Sequence, residues 1–485
     1  MIKKNILWSF LSGVLPLLVG VFIFPLIVHA YGTERFGILA ISWALVGYFS
    51  LFDMGLSRAL TQVISDRVAK KLDETETVEI TFTAFRIMWC LGVLGGAALW
   101  VIAPWLVNKI LSDASVIKQE TITLFTIVSV SIPFVVHTAA LRGVMEALHL
   151  FKQASLIRLV LGMGTFLGPY IATFYSSSLE YAALALVLVR LVGWLLHLYV
   201  VRNSNFLKNK SSKFNYKWLR QLLAFGGWMS VSNVIGPLMV YLDRFLIAAL
   251  LGASAVSYYV APYEVVTKLW LIPASFTGVL FPIFAKEWEV NPSVAANILN
   301  KGIVYVLILL YPAVLIISIF SNEWLSLWLG TEFSLNGSNL VRWLSAGVLV
   351  NAVTQILFAK IQGAGRADWT AKLHLAELVP YWIFLWVALK LFGLQGAALA
   401  WFLRVTVDAV GMAYAVGKLN TLNYARIKMP MLALSVGLIP ILLPILVENY
   451  IFRFSLIIIT GLIYGFIVWK RLVKDGLSIK ELKRL

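Results

Sequence analysis

Apolar stretches of eighteen or more residues recur along the whole chain, separated by short polar segments, which is the signature of transmembrane helices rather than of outer-membrane strands. Read this way, the chain predicts helices near 6–30, 38–56, 83–105, 121–142, 156–175, 179–201, 221–250, 255–284, 302–321, 337–359, 371–391, 394–417, 429–448 and 451–470. The first of these follows Met1-Ile2-Lys3-Lys4 and imitates a signal peptide. Its apolar run of about 21 residues is longer than the ~7–15 of such a segment, and it is read as helix 1.

The fourteen segments are not independent. Trp8, Ser12, Val14, Leu18, Leu26, Ile27 and Gly32 recur 220 positions later as Trp228, Ser232, Val234, Leu238, Leu246, Ile247 and Gly252. The same offset carries Ala139, Gly143, Ala147 and Lys152 onto Ala359, Gly363, Ala367 and Lys372, and an offset of 214 carries Arg190 onto Arg404. Helices 1–6 form one copy and helices 7–12 the other; 13 and 14 have no counterpart. Six spans per copy return the chain to its starting side, so the copies are parallel and a pseudo-twofold axis along the membrane normal is expected. The expected architecture is all-α and integral to the membrane. It has an N-lobe over 1–201, a basic linker over 202–220, a C-lobe over 221–420, and helices 13–14 with a basic tail over 421–485. A central cavity between the lobes is expected, lined by helices 1 and 7.

Composition agrees with this reading: 60% of residues are hydrophobic and 13% charged, with a mean hydropathy of +0.87, against about 25% charged in soluble domains. The net charge of +17 acquires meaning from its placement. Of the 40 lysines and arginines, 29 fall in one set of alternate loops, while only Arg35, Lys109, Lys118, Lys390 and Arg453 fall in the other. The richer side is the cytoplasmic one by the positive-inside rule, with both termini on it. The run from Arg202 to Arg220 then serves topology and attraction to anionic lipid in the bilayer rather than nucleic acid. The lone cysteine, Cys90, allows no intramolecular disulfide, and no metal or organic cofactor is expected.

The remaining six basic residues lie inside spans: Arg86, Arg190, Arg244, Lys268, Arg342 and Arg404, with Asp243, Glu264, Glu377 and Asp408 as their acidic counterparts. A charge at mid-bilayer costs from about 2.5 kcal/mol upward, so these side chains face protein or water and are the best site candidates. Arg190 and Arg404, near the middle of helices 6 and 12, suit phosphate oxygens of an anionic head group. For Arg404 a structural pair with Asp408, one turn away, is an equal reading. Arg190 has no acid one turn away. Arg244 and Lys268 complete the basic set for a substrate cavity. Asp243, Glu264 and Asp408, with Asp53, Arg58 and Arg86 toward the inner ends of helices 2 and 3, are the candidates for gating or ion coupling. Arg342 and Arg86 near span ends are also explained by snorkelling. His29, His137, His197 and His374 fall in or at the ends of spans and read as packing residues.

No phosphate-binding loop, dinucleotide fingerprint or H-E-x-x-H motif is present, and no loop exceeds about 25 residues, too few for a folded catalytic domain. Any driving energy must come from an ion gradient, H+ or Na+, or from consumption of the substrate itself.

Tyr31-Gly32-Thr33-Glu34-Arg35-Phe36-Gly37 and Leu51-Phe52-Asp53-Met54-Gly55-Leu56-Ser57-Arg58-Ala59-Leu60 resemble the opening of Wzx-type polysaccharide flippases. That family belongs to the multidrug/oligosaccharidyl-lipid/polysaccharide exporter superfamily. Tyr241-Leu242-Asp243-Arg244-Phe245-Leu246-Ile247, Leu251-Gly252, Tyr258-Tyr259-Val260-Ala261-Pro262, Phe281-Pro282 and Gln362-Gly363-Ala364-Gly365-Arg366 continue the likeness over roughly residues 1–420. The resemblance implies a non-enzymatic, alternating-access flippase of the bacterial inner membrane. Its substrate would be an undecaprenyl-pyrophosphate-linked glycan, such as an O-antigen unit destined for lipopolysaccharide, carried to the periplasmic leaflet. A polysaccharide polymerase and chain-length proteins are candidate partners. It further implies that intramembrane arginines meet the pyrophosphate, with Arg190, Arg244, Lys268 and Arg404 the candidates by depth. Helices 13 and 14 are read either as a groove for the polyprenyl tail or as plain lipid-facing packing. Two other functions stand beside this one: a cation-coupled multidrug antiporter of the same fold, and a membrane glycosyltransferase or polymerase.

Overall fold

The computed structural model describes residues 2–49, 56–110, 116–208, 210–212, 214–218, 238–241, 243–419, 421–447 and 449–474. Asp53 lies outside them, as do Trp228, Ser232 and Val234 of the expected helix 221–250. Among the described residues every regular element is helical, and eleven segments are long and apolar enough to cross a membrane. The chain is therefore a multi-pass membrane protein.

It divides into two compact units, Met1–Ala261 and Pro262–Leu485. The first contains α1 (Ile2–Phe49), α2 (Leu56–Ala69), α3 (Glu74–Ile110), α4 (Val116–Ser129), α5 (Ile132–Ala147), α6 (Phe151–Ala172), α7 (Leu179–Arg202), α8 (Asp243–Leu251) and the start of α9 (Ala253–Thr267). The second contains α10 (Leu271–Val290), α11 (Pro292–Ile319), α12 (Ser321–Leu329), α13 (Thr331–Gly363), α14 (Ala367–Leu419), α15 (Thr421–Leu442) and α16 (Tyr450–Lys474).

The two longest helices each hold a glycine where the backbone leaves the helix: Gly32 (φ 74°, ψ 167°) in α1 and Gly393 (φ 57°, ψ −142°) in α14. Such backbone is nearly closed to residues with a Cβ. Each glycine joins two segments that the hydropathy pattern separates. Gly252, the repeat partner of Gly32, also has positive φ (89°), and a Cβ at either position would meet no atom within 4 Å. Conformation, not space, asks for glycine at both.

The other repeated pair works by close approach. A Cβ on Gly143 would sit 2.8 Å from the Ser57 carbonyl oxygen, seating α5 on α2, and one on Gly363 would sit 2.9 Å from Phe284 Cβ, seating α13 on α10. Small residues at such crossings let helices pack without side-chain spacers.

In the first unit α1 packs on α6, α3 on α5, and α7 on α4 and α6. Phe24, Phe36, Trp43 and Phe166 form its aromatic core, with ring centroids 5.3–6.0 Å apart. In the second unit α13 is the central helix, touched by α10, α11, α12 and α14 and buried along most of its length. Gly347 on α13 admits Trp401, whose ring would lie 2.2 Å from a Cβ there. α16 is bound to α11 through the stacked rings of Tyr311 and Tyr464 and through the Tyr464 hydroxyl, which donates to the Ile308 carbonyl. Its other face exposes Ile451, Phe454, Ile458 and Leu462, the composition of a lipid-facing surface.

Four expectations about charge are refined. The linker is not simply a solvated basic run, because part of it is tied to the acidic start of α3. Lys210 Nζ donates to Glu74 at 2.6 Å, while Asn215 Nδ2 and Trp218 Nε1 each donate to Glu79 at 3.1 Å. Arg342 does not snorkel; it is fully buried and donates to Asn339 Oδ1 at 2.5 Å. Lys360 is buried rather than in a loop, with its ammonium 5.2 Å and 5.8 Å from the rings of Phe284 and Trp288. Arg453 is 3% exposed and bonds Glu323.

Candidate functional site

The position of Arg190 follows from the packing of α6 on α7. Gly164 and Gly168 stand one turn apart on α6. A Cβ on Gly164 would meet Val189 at 2.9 Å, and one on Gly193 of α7 would meet Leu161 at 2.2 Å. This approach brings Arg190 Nη2 to 3.4 Å from the Thr165 hydroxyl, to which it donates. Among the described residues its buried Nε has no hydrogen-bond partner and no carboxylate pairs with the guanidinium. The fork is thus held at one corner and has donors left over.

The second cluster is made by the turn at Gly393. The two arms of α14 run back along each other closely enough that a Cβ on Gly396 would lie 2.0 Å from the Ala388 carbonyl oxygen. His374, Glu377 and Tyr381 on the first arm thereby meet Arg404 and Asp408 on the second. The Arg404 guanidinium lies 5.5 Å from the Tyr381 ring centroid, and His374 Nε2 is 3.6 Å from Asp408 Oδ1. Glu377, 7% exposed, feels the charges of both Asp408 and Arg404. Both its carboxyl oxygens, and Oδ1 of Asp408, are buried without hydrogen-bond partners among the described residues. Two carboxylates this buried and this close to one another are the most concentrated acidic feature of the second unit's described spans. The sequence reading places Glu377 among the intramembrane candidates without a specific role and reads His374 as packing, since the hairpin register that joins them to Asp408 is not a local pattern.

The other candidates are distributed more widely. Asp243, buried in the first unit, accepts from the Tyr259 hydroxyl at 2.8 Å and from the Arg244 backbone N–H at 2.7 Å. The Arg244 guanidinium lies 5.6 Å from the Tyr241 ring centroid. Glu264 accepts from Lys268 Nζ at 2.9 Å, one turn along, within the second unit. Arg86 donates to the Ser212 carbonyl and so holds the linker. Arg58 is exposed on the first turn of α2.

Buried charges on paired helices and two long helices that turn at a glycine are the main features of these membrane segments. Two solved structures share the fold. One is an inward-facing multidrug transporter of the MATE family, with TM-score 0.69 and 13% identity, covering 88% of this chain and 98% of that one. The other is the lipid II flippase MurJ in an inward closed conformation, with TM-score 0.67 and 14% identity, covering 97% and 100%. Residues 2–288 match the family described as polysaccharide biosynthesis protein. A Shigella flexneri protein described as an O-antigen transporter is 31% identical over 415 residues, 84% of this chain and 96% of its own length. The chain belongs to the polysaccharide biosynthesis protein family of Wzx-type flippases. The glycosyltransferase reading falls away with this assignment.

Proposed function

We propose that this protein carries an undecaprenyl-pyrophosphate-linked oligosaccharide from the cytoplasmic to the periplasmic leaflet of a bacterial inner membrane by alternating access, with both termini cytoplasmic. The observation that carries the reading is Arg190, a guanidinium on a bundle helix with one hydroxyl contact and no carboxylate among the described residues. Such a group is suited to an anion that arrives and leaves, and its planar fork matches phosphate oxygens. Arg404, Arg244 and Lys268 are the further cationic candidates. The family, the relative described as an O-antigen transporter and the likeness of fold to a lipid II flippase support the glycan cargo. A polymerase and chain-length proteins are the partners expected to receive the product.

The test is a host lacking the gene. Lipid-linked repeat units are expected to remain on the cytoplasmic side and the surface glycan to be lost, with both restored by the wild-type gene. Unchanged glycan with altered drug resistance would replace this reading by the multidrug antiporter.

Coupling to H+ or Na+ is proposed at Glu377 and Asp408, with Asp243, Glu264, Asp53, Arg58 and Arg86 as candidate gating groups. In inverted vesicles, flipping by the wild type should respond at least fivefold to an imposed H+ or Na+ gradient. Asp408→Asn should remove that response, and a variant that keeps it would exclude Asp408 from coupling.

A further inference from the structure

In the second unit, where α12 turns into α13 and α16 begins, the structure is hollowed among residues outside the α14 hairpin. There a cavity of about 570 Å3 is lined by Glu323, Ser326, Ser334, Asn339 and Tyr450, with Leu327 and Leu335 also on its wall. That volume lies within the ~300–1,000 Å3 of small-molecule pockets. Its walls are held from behind by two buried arginines. Arg453 donates to both carboxylate oxygens of Glu323, at 2.8 Å and 3.3 Å, and to the Ile319 carbonyl at 3.0 Å, and its guanidinium lies 4.5 Å from the Tyr450 ring centroid. Arg342 occupies Asn339 Oδ1. The Ser334 hydroxyl donates to the Asn322 carbonyl at 2.9 Å and ties the two helices across the Gly330 turn.

This arrangement decides what the cavity suits. With its oxygen bound to Arg342, the Asn339 amide keeps its N–H donors for a ligand. Each Glu323 oxygen, though bonded to Arg453, retains lone-pair capacity to accept a hydroxyl. Ser326 and Ser334 add hydroxyls, and Tyr450, 63% exposed, adds a flat ring. Fixed donors, fixed acceptors and a ring around a short saccharide's volume complement a polyol. An anion is disfavoured, because the Glu323 carboxylate is on the wall and Arg453 behind it is bonded to that carboxylate and to the Ile319 carbonyl. A polyprenyl tail would leave Glu323, Asn339 and the serines, about half of the lining, facing hydrocarbon.

We infer that this cup binds sugar hydroxyls of the glycan carried by the protein, as a saccharide subsite separate from the arginines proposed for the pyrophosphate. The inference rests on the glycan reading of the preceding subsection for the identity of its ligand. The segment between the expected spans 302–321 and 337–359 carries no lysine or arginine and is periplasmic in the orientation proposed above, so the cup serves the arriving glycan.

The test uses the full-length protein in lipid nanodiscs and the repeat-unit oligosaccharide released by mild acid from the host's own surface polysaccharide, free of lipid and pyrophosphate. Saturation-transfer NMR is expected to show saturable binding to the wild type. Ser326→Trp, which fills the cup, should weaken it at least tenfold. Glu323→Gln, which keeps the shape and removes the charge, should weaken it about threefold or more, and inorganic pyrophosphate should not compete. No saturable binding, undiminished binding by Ser326→Trp, or displacement by pyrophosphate would overturn the inference. Complementation of the gene deletion separates the two readings. Export without oligosaccharide binding sinks the cup alone; binding without export supports the cup and sinks the flippase.

Discussion

Arg190→Ala is expected to lower glycan export at least tenfold while leaving the amount of protein in the membrane unchanged. The direction of its stability effect separates function from architecture. A guanidinium that held the fold would have a carboxylate or several carbonyls around it, and its loss would lower the melting temperature. Among the described residues Arg190 has one long contact, to Thr165, and a buried Nε without a partner. Holding a charge at such depth costs from about 2.5 kcal/mol upward, so alanine should leave the melting temperature equal or higher. Arg190→Lys keeps the charge but presents a point rather than a fork, and should retain an intermediate rate. The measurements are surface glycan per cell, corrected for protein by immunoblot, and thermal unfolding of the purified variant. Full export by Arg190→Ala would remove it from the site.

Gly396→Val should have the other large effect, of the opposite kind. A Cβ at this position would stand 2.0 Å from the Ala388 carbonyl oxygen and 2.3 Å from its carbon. The obstacle is backbone, which no rotamer change relieves. Overpacking ordinarily costs about 1–3 kcal/mol, and a clash with main chain in a hairpin exceeds the usual relief. The arms of α14 must separate, and with them His374, Glu377 and Asp408. The membrane fraction should contain several-fold less protein, and size-exclusion chromatography should show loss of the monodisperse peak. Gly461→Val, on the outer helix where a Cβ meets nothing within 4 Å, is the matched control. A Gly396→Val protein at normal level and monodisperse would refute the tight hairpin.

The sequence carried much of this architecture because membrane helices are written in composition. The all-helical, multi-pass character, the recurrence of Gly32 as Gly252 and the absence of an acid one turn from Arg190 were visible in residue type and spacing, whereas fourteen expected spans stand against eleven long apolar segments among the described residues. Depth along a span was a poor guide to surroundings. Arg342 and Arg453 read as an end-of-span cation and a loop cation, yet both are buried behind the polar cup, because distance from the bilayer centre says nothing about distance from the protein interior. Lys360 fails for the same reason. Local spacing also offered Arg404 with Asp408, four residues apart, as one of two equal readings. The structure sets Arg404 over Tyr381 and Asp408 against His374, partners more than twenty residues away that a single turn at Gly393 brings within reach. The linker lysines could not announce their acidic partners on α3, more than 130 residues earlier.

Gly32 and Gly252 suggest an order of events for a tandem duplication. A left-handed, extended backbone position cannot drift one substitution at a time without strain of about 1–3 kcal/mol, whereas a buried neighbour can change its chemistry whenever its new contacts are met. Residues 23 and 24 are Ile and Phe in the first copy, with Phe24 inside an aromatic core. The matching positions of the second copy are Asp243 and Arg244, with Asp243 satisfied by Tyr259. An ancestral single unit, fused head to tail, would keep its hinges and lose its electrical symmetry first. In the function proposed above the two copies then divide their labour, Arg190 of the first offered to cargo and Glu377 with Asp408 of the second to an ion.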